Sequence, residues 1–121
     1  MASEDMTKLL IFIGEGQTFD VEVTIDAISA MGGVTDSRRG NFVGAVFECE
    51  YHYAGASTVV RLSQDAETVT AEGLGRCALS FALELQRALS ADLHAIDMEY
   101  SFNVALCDFQ SIEQLQQTIS F

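Results

Sequence analysis

The residues of this chain that are equipped for chemistry are few and scattered. Two carboxylate pairs stand two positions apart, Glu48 with Glu50 and Asp97 with Glu99. On an extended strand, residues i and i+2 share a face, so the members of each pair are neighbours. Glycosidase-type acid–base work would need such a pair, together with a cleft and one raised pKa. Without those, strand-face acids read as solvated groups open to a partner. His52 and His94 are the only histidines, and neither has a partner at metal-ligand spacing apart from Glu50 beside His52. Cys49, Cys77 and Cys107 are odd in number, widely spaced and form no CxxC pair. They read as reduced thiols of a cytoplasmic protein, and Cys49 and Cys77 fall on inward faces, where cysteine packs as a small apolar group. Gly14-Glu15-Gly16 follows an apolar run, as a dinucleotide fingerprint does, but the third glycine and the βαβ context are missing, so a turn is expected. No GxSxG elbow is present. Arg38-Arg39 is the one basic pair. It lies in a polar stretch, residues 35–41, that reads as a loop with no phosphate cradle. These readings lead to no catalytic residue, no metal and no cofactor.

Charge narrows the partners. Eighteen Asp and Glu against six Lys and Arg give a formal net charge of −12, and Lys8 is the only lysine. Neutralising phosphates needs a cationic surface, so direct binding to nucleic acid or an anionic membrane is disfavoured. An acidic field steers basic partners instead. The 121 residues fit one domain, with 49% hydrophobic residues for a core. The acidic start and the short apolar run at residues 9–13 do not fit a signal peptide, and residues 1–6 read as a flexible N-terminus. A soluble, cytoplasmic protein is expected.

The elements that must position these groups follow from periodicity. Leu74, Cys77, Ala78, Phe81, Ala82, Leu85, Ala88 and Leu89 recur at helical steps. Ile96, Met98, Tyr100, Phe102, Val104 and Leu106 then alternate with Asp97, Glu99, Ser101 and Asn103, which predicts one long strand with the first set on the core face. The run Lys-Leu-Leu-Ile-Phe-Ile at 8–13 predicts a central strand buried on both faces. Residues 42–53, 57–63 and 67–71 predict an antiparallel meander. Residues 26–31 read as a helix ending at Gly32-Gly33, while 19–25 fit a strand or a helix equally. Ser111 and Gln114 form a capping-box pattern for a last short helix. The fold class expected is α+β: an antiparallel sheet of about five strands, one long helix (74–89) packed on one face, and a short C-terminal helix.

Glu72-Gly73-Leu74-Gly75, then Ala82-Leu83-Glu84-Leu85-Gln86, then Asp97-Met98-Glu99-Tyr100-Ser101-Phe102, resemble the pattern of small bacterial immunity proteins of polymorphic toxin systems. The resemblance covers about the C-terminal half, from Arg61 to Phe121, and none of its motifs is catalytic. It implies a non-enzymatic protein that binds and occludes a cognate toxin. Glu48, Glu50, Asp97 and Glu99 are the partner contacts that the strand faces themselves put forward, and a basic protein is the partner that the charge favours. The alternatives are an acidic secretion chaperone that dimerises around an unfolded effector segment, and a small-molecule binder or enzyme with a pocket between helix and sheet.

Overall fold

A computed structural model describes residues 8–14, 16–42 and 44–119; the expected flexible segment at residues 1–6 lies outside them. In chain order the elements are β1 (Lys8–Phe12), α1 (Val21–Ser29), β2 (Val34–Phe42), β3 (Ala45–Tyr53), β4 (Ala56–Ser63), β5 (Val69–Glu72), α2 (Arg76–Ala88), β6 (His94–Asp97), β7 (Asn103–Ala105), a 3-10 turn (Leu106–Asp108) and α3 (Ile112–Ile119). The strands form one seven-stranded sheet in the order β2-β3-β4-β5-β1-β6-β7, with every neighbouring pair antiparallel. The class is the expected α+β. Among the described residues there are seven strands where about five were expected, and the expected long helix is the 13-residue α2, accompanied by α1 and by α3 at the place of the expected short C-terminal helix.

β1 is central, as its apolar run predicts, with β5 on one side and β6 on the other. Its two faces differ, however. Leu9 and Ile11 are fully buried, whereas Lys8, Leu10 and Phe12 are only half-buried. In antiparallel pairs directly opposed residues share a face. Leu9 and Ile11 therefore lie with Ala71 and Val69 of β5, and those continue through Val60 and Leu62 of β4 to Cys49 and Phe47 of β3. This face meets Cys77, Ala78, Phe81, Ala82 and Leu85 of α2, all in the same buried cluster. α3 packs against α2 with Leu115 and Ile119 buried, and α1 lies near β2 and α2 with Ile25 and Ile28 buried.

Four local differences from the periodic reading have physical causes. Residues 21–29 are helical because Asp20 caps the first turn, its carboxylate accepting from the Val23 amide at 3.1 Å, and because Thr24, Ile25 and Ile28 share the buried side. Arg38 and Arg39 stand on strand β2, not in a loop. That polar segment pairs on one side only, with Arg38 opposite Glu48, and irregular register on either side of Arg38-Arg39 marks it as an edge strand. α2 begins at Arg76, two residues after Leu74, because Gly73 takes a left-handed φ of 82° and Gly75 is the N-cap.

The fourth difference is the largest. The expected long strand over residues 93–107 is a hairpin, β6–turn–β7. The Asp97 carboxylate accepts from the Ser101 amide at 2.7 Å and from the Ser101 hydroxyl, and the Tyr100 amide bonds the Asp97 carbonyl at 3.2 Å. Tyr100 adopts φ 58° inside that turn. In β6 the inward and outward sets are exchanged, whereas Val104 opposes the inward Ala95 and Leu106 is fully buried, both on the core side as expected. Ala95 and Asp97 oppose the inward Ile11 and Leu9, and His94 and Ile96 oppose Phe12 and Leu10 on the other face. Met98 and Tyr100, expected in the core, are 51% and 75% exposed.

Candidate functional site

With the helices on one side, the opposite side of the sheet is bare among the described residues. Its residues include Arg38 on β2, Glu48 and Glu50 on β3, Val59 and Arg61 on β4, Thr70 and Glu72 on β5, Lys8, Leu10 and Phe12 on β1, and His94 and Ile96 on β6.

A charged ladder crosses the β2–β5 half. Arg38 donates to Glu48 Oε1 through Nε at 2.8 Å and approaches it through a terminal nitrogen at 2.6 Å. Arg61 grips Glu48 Oε2 through Nε at 2.8 Å and a terminal nitrogen at 2.7 Å, and its other nitrogen reaches Glu72 at 3.4 Å. The hydrogen bond from Arg38 is the main reason the Glu48 carboxyl lies below its usual range; burial opposes this, and Arg61 adds to it. Glu48 is therefore already held on both oxygens. Glu50 is half-exposed, 3.5 Å from His52 Nε2, and the same nitrogen meets Thr35 Oγ1 at 2.9 Å. Both contacts use one ring nitrogen, so this cluster lacks the relay through two nitrogens that a hydroxyl–imidazole–carboxylate triad needs.

Asp97 and Glu99 are elsewhere. β3 and β6 are separated by β4, β5 and β1, about 19 Å at the usual strand spacing. Asp97 is 7% exposed and faces the helix side, committed to Ser101. Glu99 is exposed on the hairpin turn. The four acids put forward by the sequence therefore form no common patch, and only Glu50 and Glu99 present carboxylates outward.

On β1 and β6 the face away from the helices is apolar at Leu10 and Phe12, both half-buried, and at Ile96, 8% exposed, with Lys8, Thr70, Glu72 and His94 beside them. Leu10, Phe12 and Ile96 line a groove of about 590 Å³ together with Gly14, Gly16, Gln17, Glu67, Thr68 and Tyr100. His94 stacks on Phe12 with ring centroids 5.5 Å apart. The two ends of the groove follow from register. Thr68 precedes Val69, which opposes Ile11, while Tyr100 follows Asp97, which opposes Leu9. The period-two alternation within residues 8–12 is the signal that places Leu10 and Phe12 opposite Leu9 and Ile11. The serine four positions after Asp97 is the only sequence sign of the turn that presents Tyr100.

The interior offers no comparable chemistry. Phe47, Val60, Leu62, Leu79, Phe81 and Leu85, each at most 1% exposed, are packed in the core. There the Tyr51 hydroxyl donates to Glu84 at 2.6 Å and meets Ser80 Oγ at 2.7 Å. Burial, reinforced by the Glu84 acceptor, holds its proton well above the ordinary phenol range, and the Ser80 contact opposes this. Burial pushes the Cys49 thiol up to about 12, helped by the charges of Glu48 and Glu50. All three cysteines are free. Among the described residues no group of three or more His, Cys, Asp and Glu is placed to hold a metal, and no helix is long and apolar enough to cross a membrane.

Comparison of the chain with protein-family models, curated proteins and solved structures returned no match.

Proposed function

We propose that this chain is a non-enzymatic protein-binding inhibitor of the immunity type, which blocks a cognate toxin domain by occupying its surface. The observation that carries the reading is the bare sheet face, whose β5–β1–β6 half bears an apolar groove next to the exposed Tyr100. An apolar groove beside an exposed tyrosine supplies the pocket-and-anchor arrangement that protein interfaces use. Charge supports a basic partner. Each of the five arginines already contacts a group of its own chain: Arg38 and Arg61 meet Glu48, Arg39 meets Glu22 at 2.5 Å, Arg76 meets Glu113 at 2.8 Å, and Arg87 donates to the Gln110 carbonyl at 2.9 Å. The excess of acids is left to set the outer field, which speeds encounter with a cationic surface.

The test is genetic and functional. A gene for a large secreted protein with a separable C-terminal domain is expected beside this one. Expression of that domain alone should arrest growth, and co-expression of this chain should restore it. No such neighbour, or no rescue, would sink the proposal. Sedimentation separates it from the secretion-chaperone alternative, which requires a dimer.

A further inference from the structure

The groove under Tyr100 has a shape and a chemistry that specify its occupant more narrowly than the bare face does. Its floor, Phe12, Leu10 and Ile96, is apolar, and among the described residues Glu67 at the β4–β5 turn is its one charged lining residue. From Thr68 to Tyr100 it spans about three residues of β1, or roughly 10 Å of strand. Its polar lining side chains are Gln17, Glu67, Thr68 and the Tyr100 hydroxyl.

Tyr100 adds an independent observation. It is 75% exposed, and its backbone is left-handed at φ 58°. A bulky residue in that region is strained. Two hydrogen bonds from Ser101 to the Asp97 carboxylate and one from the Tyr100 amide to the Asp97 carbonyl hold the turn in place. The fold thus maintains an unfavourable conformation whose visible result is an aromatic ring in solvent beside an apolar floor. Tyrosine is among the side chains enriched at interface hot spots, where it supplies a large contact area at low entropic cost.

We propose that the groove seats one extended segment of a basic partner protein, with Tyr100 as the anchor. Apolar side chains of the segment rest on Phe12, Leu10 and Ile96, and a Lys or Arg of the segment reaches Glu67. The inference rests on the protein-binding reading above and names the surface and the chemistry of its partner. A second copy of the chain is disfavoured as occupant because each carries a net charge of −12.

The experiment uses two synthetic probes, the peptide Ac-Val-Arg-Leu-Arg-Val-amide and its counterpart with both arginines replaced by glutamate. Each is titrated into the full chain and followed by amide chemical shifts. The arginine peptide should shift Leu10, Phe12, Thr68, Ile96 and Tyr100, and the glutamate peptide should not. Tyr100→Gly and Glu67→Lys should each weaken the arginine peptide at least about tenfold, as loss of an anchor does. Glu50→Lys, an equal change in charge outside the groove, should leave affinity within about twofold, the range of a screened distant charge. Glycine relieves the left-handed strain, so Tyr100→Gly should keep or raise the melting temperature while binding falls, and Tyr100→Asn should behave alike. Shifts confined to other surfaces, equal binding of the two peptides, or unaltered affinity in Tyr100→Gly would each overturn the proposal, as would self-association through the groove without peptide. Failure here is separable from failure of the immunity reading. If the wild-type chain rescues growth and Tyr100→Gly rescues it equally, the groove is wrong and the inhibitor reading stands. If the peptide binds as described and the wild-type chain gives no rescue, the reverse holds.

Discussion

Replacing Asp97 with alanine should cost this protein much of its stability, although the residue was expected to be a surface contact. The carboxylate is 7% exposed and accepts two hydrogen bonds from Ser101, one from the amide at 2.7 Å and one from the hydroxyl. A hydrogen bond to a charged group contributes about 1.5–3 kcal/mol, and a donor left unpaired adds its own desolvation cost. The two bonds close a single turn and are not additive, so the expected loss for Asp97→Ala is about 3 kcal/mol. Unfolding entropy near 2.1 cal/mol/K per residue, over 121 residues, converts this to a melting temperature lower by about 12 °C. Asp97→Asn keeps an acceptor for the amide and should lose about 1 kcal/mol, or about 4 °C. The pH dependence supplies the sign. Burial pushes the Asp97 carboxyl up, but the Ser101 hydroxyl and amide, with further backbone bonds, outweigh it and leave it below its ordinary value. A depressed folded-state value means that this stability is fully present above the unfolded value, near pH 4, and is lost as pH falls through the folded one. The gap in melting temperature between wild type and Asp97→Ala, followed by circular dichroism, should therefore be constant from pH 7 to about pH 5 and narrow below about pH 4. A variant melting within about 2 °C of wild type at pH 7, well short of that conversion, would refute the account of the turn. So would a gap unchanged at pH 3.

Three further outcomes follow from the packing. Gly33→Ala should destabilise the fold by about 1–3 kcal/mol in chemical denaturation, because a Cβ there would meet the His52 carbonyl oxygen at 2.3 Å; a neutral substitution would mean that β2 and β3 separate easily at that point. Tyr51→Phe should cost about 1–2 kcal/mol, since Ser80 loses its buried partner and Glu84 its donor, and unchanged stability would show the cluster to be idle. A thiol reagent at pH 8 should label Cys107 alone in the native state, because Cys49 and Cys77 are buried and held above the ordinary thiol value by desolvation. Rapid labelling of either of these would show that the interior opens.

Where one face of an element was buried and the other wet, its sequence was legible. The alternation over residues 43–53 and 58–62 predicts Val43, Ala45, Phe47, Cys49, Tyr51 and Tyr53, with Thr58, Val60 and Leu62, on the inward face; Val43 lies outside the described residues, Tyr53 is half-buried, and the others are buried. The capping pattern before α3 also appears, with the Gln114 amide donating to Ser111 Oγ at 3.2 Å and Gln114 Oε1 accepting from Gln110 at 2.9 Å. Periodicity fails where a polar contact decides the geometry. β2 carries little apolar pattern because it is an edge strand, and Arg38 finds its place through Glu48 across the ladder. The apparent long strand alternates well enough to deceive, since no count of hydrophobic residues registers a carboxylate that bonds a serine four positions on. The candidate site was hidden for the same reason, because its floor lies on a strand read as buried on both faces and its rim on a turn read as strand.

The motifs behind the immunity-protein resemblance can now be read as structure. Gly73 and Gly75 set the start of α2. Leu83 and Leu85 are core. Gln86 ties down the link to β6, donating to the Ala91 carbonyl at 2.9 Å and accepting from the Leu93 amide at 2.8 Å. Asp97 and Ser101 close the hairpin turn. Each of these contacts fixes how α2, β6 and β7 meet, and none reaches outward. A chain sharing these residues would share the hairpin, and with it a side chain held out at the Tyr100 position, whatever it binds. Specificity would then reside in the identity of that side chain and of the floor beside it, Leu10, Phe12 and Ile96. Exchanging those residues between two such proteins should exchange their partners, and exchanging the Asp97–Ser101 pair should not.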